Sequence, residues 1–243
     1  MMTFEELVQS LLTANFWESK SVGQVNRLLG SACALTVGYD QRNPHHCYTL
    51  FEHCLNAAAV LRVLCEAASL PAERRDNLLV AALLHDVAKP RVAFEKKGRL
   101  VFYGHANCSA IIADELLERM GCSDERRRAI TFLIAHHDDF ITYRRQERIP
   151  PYANRYIRPI CRETVEQHIR CTAAPAGCRE AELWRDLCLL MYADASAQAI
   201  TTVIDGKTVG SRREKQLSAL AVQDCVDMIF GGKTHESKEK KTA

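Results

Sequence analysis

The sequence predicts an all-α protein, and three observations carry that expectation. Apolar residues recur at three- and four-residue spacing through most of the chain. Helix start and stop signals punctuate the periodic stretches. Only the segment from Arg91 to Tyr103 changes pattern, and it is short enough for a β-hairpin or a lid-like loop.

"TFEELVQSLLTANFW" reads as an amphipathic helix opened by Thr3, with Glu6 three residues on to complete a capping box. "NRLLGSACALTVGYDQRNPHH" is irregular, because its Gly and Asn-Pro break the periodicity. "YTLFEHCLNAAAVLRVLCEAASL" is a long helix with Leu50, Cys54, Ala57, Leu61 and Leu64 as its apolar stripe. Pro71 opens the next helix, which ends at or near His85-Asp86. "VAFEKKGRLVFYGH" has apolar ends around Lys97-Gly98, and its charged tip suits a segment that closes over a substrate. Helices resume at "HANCSAIIADELLERM". Gly121 closes that helix, and Ser123 caps "DERRRAITFLIAHH", whose first turn is acidic. Three more helices are expected near Ala153 to Cys171, Arg179 to Ala199 and Gly210 to Phe230. The expected organisation is a lead-in over residues 1–45, one helical domain over 46–230 and a disordered polar tail over 231–243.

Composition narrows the function. Apolar residues make up 47% and charged residues 26%, as in soluble globular proteins. A net charge of +2 argues against a protein that coats nucleic acid. Local basic patches remain at Arg144-Arg145 with Arg148 and at Arg212-Arg213 with Lys215. None of the 11 cysteines forms a Cys-x-x-Cys pair, which excludes a zinc knuckle or a thioredoxin-type motif. Cys54, Cys65, Cys188 and Cys225 sit in apolar stretches, as reduced core thiols of a cytoplasmic protein would. "MMTFEELVQSLL" lacks the basic start and apolar run of a signal peptide. No apolar run approaches the roughly 20 residues that span a bilayer, so no membrane partner is expected.

"VAALLHDVAKP" raises the question of function. A buried apolar helix ends in an adjacent imidazole and carboxylate, His85 and Asp86, and a buried carboxylate needs a cation or several donors. His53 lies on the inward face of the preceding helix. Asp194 sits in "LCLLMYADASAQA", where no cation occurs at helical spacing, so something outside the helix must neutralise it. His105 begins a helix, and His136 and His137 end one. Periodicity does not choose between those two. Any one of these residues has an ordinary structural reading. Together they place imidazoles and carboxylates at inward or helix-end positions on five helices, a donor set suited to manganese, iron, nickel, zinc or magnesium. Further histidines would allow a second ion, and paired ions clamp an in-line phosphoryl displacement.

The order His53, His85-Asp86, His105, His137, Asp194 resembles the HD superfamily of metal-dependent phosphohydrolases, over about Tyr39 to Gln198. More narrowly, "GYDQRNPHHCYTLFEH", "LLHDVAKP", "FYGHA", "LIAHHDD" and "YADASAQ" are similar to the HD domain of bacterial CCA-adding tRNA nucleotidyltransferases. The resemblance implies a helical HD bundle that binds one or two divalent ions and acts as a phosphatase or phosphodiesterase on nucleotide-like esters. It implies His53, His85, Asp86 and Asp194 as core metal ligands, with His105 and His137 at a second metal or the substrate phosphate. His137 is preferred to His136 because family members read His-Asp there, as His137-Asp138 does. Asp86 would also orient or deprotonate the attacking water. Lys89 would contact a phosphate oxygen, His105 would assist the chemistry, and His136, Arg144 and Arg145 would meet the substrate. About 40 residues precede the match. They hold no Gly-Ser followed by spaced aspartates, so CCA addition is not expected of this chain.

Two other classes stay open. The resemblance allows an HD-type di-iron oxygenase, which iron content and oxygen consumption distinguish from a hydrolase. It also allows a catalytically silent nucleotide- or RNA-binding module. "YRRQERIPPYANRYIRP" puts five arginines among tyrosines and prolines, a composition that can neutralise and stack on RNA. A solvated loop beside the site mouth is the favoured reading of that stretch.

Overall fold

The computed structural model describes residues 2–14, 34–145, 157–204 and 206–231. Among them are eight helices of ten or more residues and three two-stranded sheets. The fold is all-α, as expected.

α1 (Phe4–Thr13) starts with both bonds of the Thr3–Glu6 capping box in place. Its last carbonyls have no partner within the helix. Arg62 supplies one, donating to the carbonyls of Leu11, Leu12 and Ala14. α2 (Leu50–Ala67) packs against α3 (Ala72–Leu84) and α7 (Glu180–Ser196). Leu50, Cys54, Ala57 and Leu61 of the α2 stripe are buried. Pro71 stands at the N-cap of α3, where its missing N–H costs nothing. Arg74 of α3 makes a forked contact with the buried Asp186 of α7, 2.6 Å at the closest.

α4 (His105–Arg119) packs on α5 (Asp124–His136). Gly121, at φ 74°, turns the chain between them, and Ser123 stands at the N-cap of α5. α8 (Arg212–Gly231) lies against α7 and α6 (Arg162–Cys171). The shared core includes Leu78, Leu79, Leu84, Ile130, Trp184 and Leu187, all sealed from solvent. The four cysteines expected in the core are buried, and the ten described cysteines are free thiols. No helix among the described residues is long and apolar enough to cross a membrane.

The expected hairpin is present. β1 (Phe94–Lys96) pairs antiparallel with β2 (Arg99–Val101) across Lys97-Gly98, both at positive φ. Elsewhere the structure departs from the sequence reading. α6 starts at Arg162, and the residues before it form β4 (Arg158–Pro159), paired with β3 (Tyr143–Arg144). The start of the helix expected from Ala153 falls on residues 153–156, outside the described residues, as does most of the arginine-rich stretch considered for RNA, over 146–156. Between α7 and α8 runs an unexpected second hairpin, β5 (Thr201–Ile204) with β6 (Lys207–Ser211), bulged at Thr202/Val203. From residue 232 the expected polar tail also lies outside the described residues.

Candidate metal centre

Helix ends build the site. The last carbonyls of a helix lack an intrahelical donor, and an imidazole just past the end can supply one. His85 caps α3 and donates from Nδ1 to the carbonyl of Ala82 at 2.7 Å. His137 caps α5 and does the same to Ile134 at 2.7 Å. His105 opens α4 after Gly104, whose φ is 77°, and donates to the Phe102 carbonyl at 2.9 Å. His53, in the first turn of α2, reaches the Ala197 carbonyl at the end of α7, 3.1 Å away. A backbone carbonyl accepts only, so each contact puts the proton on Nδ1 and leaves a lone pair on Nε2.

Those four Nε2 atoms converge on Asp86. Its Oδ2 lies 3.4 Å from His53 and 3.2 Å from His85. Its Oδ1 lies 3.0 Å from His105 and 3.7 Å from His137. Asp194, from the end of α7, brings Oδ1 to 2.9 Å from His53 and 3.6 Å from His85. Ligand atoms about 2.1 Å from one ion and at right angles stand about 3.0 Å apart. The donors therefore sort into two sets sharing one carboxylate. His53, His85 and Asp86 form one, with Asp194 beside it, and Asp86, His105 and His137 form the other.

Three features of the protein itself ask for a cation here. His53 Nε2, His85 Nε2 and Asp86 Oδ1 are buried without a hydrogen-bond partner, which is costly unless something else satisfies them. The Nε2 atoms of His105 and His137 face each other at 3.2 Å, and two lone pairs at that distance repel unless a positive charge stands between them. The C-terminal, negative ends of α3, α5 and α7 meet at the site. Without metal, protons take the cation's place. Burial disfavours a charged His53, but Asp194 and Asp86 outweigh it and hold the pKa at about 9. Burial likewise opposes charge on Asp86 and Asp194, yet the histidines around them, and Lys89 beside Asp86, keep both carboxyls well below the ordinary range. The donor set fits a divalent ion.

Residues 50–168 match the HD domain family. That span, just under half of the chain, is similar to HD domains. The match takes in His53, His85, Asp86, His105 and His137, while Asp194 approaches from α7, beyond the matched span.

Asp86, His105, His137 and Asp194 of the cluster line a cavity of about 560 Å³. Lys89 is buried against Asp86, Nζ to Oδ2 at 2.6 Å. It also donates to Gln41 Oε1 at 3.1 Å and to His46 Nε2 at 3.4 Å. Lys89 thus neutralises and orients Asp86 while forming part of the cavity wall. Arg144 and Arg145 line the same cavity, and Arg144 donates to the carbonyls of Ile141 and Tyr143. His136 stands apart from them. Its Nδ1 meets Asp139 at 2.7 Å, its ring packs on Phe132, and it is absent from the cavity wall. The expected place of His136 at the substrate is corrected on this ground: at the last position of α5 its ring turns toward Asp139, and one residue on His137 turns inward.

Sequence reasoning passed over several residues at the site. Asp138 brings Oδ2 to 3.3 Å from His105 Nε2. Its signal is the first aspartate of "HHDD", directly after His137. Gln198 donates to Asp194 Oδ2 at 3.0 Å and accepts from Lys215. Gln198 lies one turn past Asp194, a spacing that could have flagged it. His45, His46 and Lys215 also line the cavity. Nothing local in the sequence points Lys215 inward, since the β5–β6 hairpin and α8 carry it there.

Proposed function

We propose that the chain is a cytoplasmic metal-dependent phosphohydrolase that cleaves a phosphate ester of the nucleotide class by attack of water. The observation that supports this most is Asp86, which presents one oxygen to each of two buried ligand sets beside a single cavity. Shared carboxylates of that kind suit paired ions in phosphoryl chemistry. His53, His85, Asp86 and Asp194 would hold one ion, and Asp86, His105 and His137 would hold a second. When bound, a divalent ion lowers the pKa of its water and draws charge from a phosphoryl oxygen.

The chain's own groups would do the rest. Asp86, held charged by Lys89, would orient the attacking water and take up its proton. His105, with Asp138 against it, would hold a phosphoryl oxygen. Arg144 and Arg145 would meet the substrate at the cavity mouth. The water oxygen bonds to phosphorus, the ester P–O bond breaks, and the alcohol leaves with a proton.

The test is metal analysis of protein purified without chelator, beside a panel of phosphomonoesters and cyclic phosphodiesters with manganese, nickel and magnesium. One or two divalent ions per chain with ester turnover is the expected result. Two irons with oxygen consumption and no ester cleavage would replace the proposal with the oxygenase reading. No metal and no turnover would replace it with a binding module.

A further inference from the structure

The cavity has a second pole, away from the ligand histidines, and it is built of donors. Lys215 of α8 enters it. Its Nζ is held by Gln198 Oε1 and by His45 Nδ1 at 3.3 Å, both neutral acceptors. Among the described residues no carboxylate lies within ion-pair distance of it, although Asp86, Asp138, Asp194 and Glu214 all line the cavity. Lys89, the other lysine of the wall, is committed to Asp86. Lys215 is not.

The neighbours of Lys215 strengthen the pole. His45 Nδ1 meets both the Lys215 ammonium, which only donates, and the Thr202 hydroxyl at 3.1 Å, which can donate; as the acceptor of both it leaves the ring proton on Nε2. That N–H has no acceptor among the described residues. Burial and the Lys215 charge pull the His45 pKa down to about 4, which keeps the ring neutral near pH 7. Arg144 adds a guanidinium whose described acceptors are carbonyls alone. Burial holds the Lys215 pKa below the ordinary lysine value despite the pull of Asp194 and Asp138. A partly buried cation among donors is a poor arrangement for a resting cavity and a good one for an anion. The distance is short as well: Gln198 links Lys215 to Asp194 through two hydrogen bonds.

We propose that Lys215, with His45 and Arg144, forms a second anion subsite that binds a phosphoryl group other than the one at the metal centre, so that the substrate is a bisphosphorylated ester. This rests on the phosphohydrolase reading for its chemistry, but the subsite can be tested without turnover. Lys215 is a specificity residue in this scheme. Gln198 is a positioning residue that couples the subsite to Asp194.

The probes are adenosine 3′,5′-bisphosphate and the two adenosine monophosphates, measured by calorimetric binding to the metal-loaded protein and by hydrolysis. The wild-type chain is expected to bind the bisphosphate at least about tenfold more tightly than either monophosphate, since a charge-assisted bond to a partly buried lysine is worth that much. Lys215→Met should collapse that ratio toward one with metal content retained, and Lys215→Arg should restore most of it. Arg144→Gln, remote from the fold's core, gives the same reading if the Lys215 variants do not fold. Equal affinity for mono- and bisphosphate in the wild type, or a ratio that survives Lys215→Met, overturns the subsite. Ester turnover without the preference removes the subsite and leaves the hydrolase. A Lys215-dependent preference without any turnover removes the hydrolase and leaves the subsite.

Discussion

At the scale of single residues, the site rests on tautomers. Four imidazoles share one device, an Nδ1–H given to a backbone carbonyl. The ring is thereby fixed, and its Nε2 lone pair is aimed before any ion arrives. His85 and Asp86 hold the centre, because Asp86 alone touches both ligand sets. His85→Ala or Asp86→Ala should cut bound metal below about a tenth and turnover by more than about 100-fold, since even outer partners of metal ligands matter at the 10–100-fold level. Far-ultraviolet circular dichroism should stay helical, because α3 ends before both residues. Metal and turnover that survive either substitution would sink the site assignment. The apposed Nε2 atoms of His105 and His137 carry a related expectation. His105→Ala should lose the second set and leave His53, His85 and Asp194 able to hold one ion. Metal stoichiometry should then fall without reaching zero, and a complete loss would mean the two sets do not load separately.

At the scale of elements, local signals were legible and placed signals were not. The Thr3 capping box, the α2 stripe, Pro71 and the Lys97-Gly98 turn are each written within a few residues, and each is found where the spacing puts it. That these histidines gather around Asp86 was legible too, because an inward imidazole in an apolar helix has a cost that needs explaining. The β5–β6 hairpin was missed, although Asp-Gly between two β-branched runs is a hairpin signal. The two runs are short, and it is their pairing with each other beside α8 that makes them strands. His136 and His137 show the same limit: helical phase admits both, and the end of α5 parts them. His136 instead joins His168 of α6 on Asp139, at 2.7 and 2.8 Å, tying the end of α5 to α6. Burial pushes the Asp139 carboxyl up, but those two rings overcome it and bring the pKa to about 2. A carboxyl depressed on folding adds stability that is present above the unfolded value, near 4, and is lost as pH falls toward 2. The contribution is about 2 kcal/mol at most. Urea unfolding of wild type and Asp139→Asn should therefore differ most at pH 5 and converge as pH drops to 2. A gap that stays constant with pH would show that the tie is not electrostatic.

At the scale of the whole molecule, the candidate ligands come from α2, the end of α3, the start of α4, the end of α5 and the end of α7. A bound ion would fasten segments from His53 to Asp194, and binding to the native state alone stabilises it by mass action. At a hundredfold excess over Kd the gain is about 2.7 kcal/mol. For a chain of 243 residues that raises Tm by about 5–10 °C. The size of the rise depends on pH, and the sign follows from His53. Its folded pKa, about 9, stands above the usual 6.5. Without metal, the protonated ring adds stability that is fully present below pH 6.5 and is lost as pH climbs through 9. A metal ion needs the same nitrogen deprotonated, so protons compete with it across that window. Metal-free protein should lose stability between pH 6.5 and 9 while the loaded protein gains on it. Calorimetric scans with chelator and with manganese, at pH 6.5, 7.5 and 8.5, should show a gap that widens with pH. In His53→Ala the gap should shrink and lose part of that slope, because one competing proton is gone along with a ligand while His85 and His137, whose pKa values Asp86 and Asp138 also raise, still bind theirs. A gap that is flat or narrows with pH in the wild type would mean that the ion binds elsewhere on the chain.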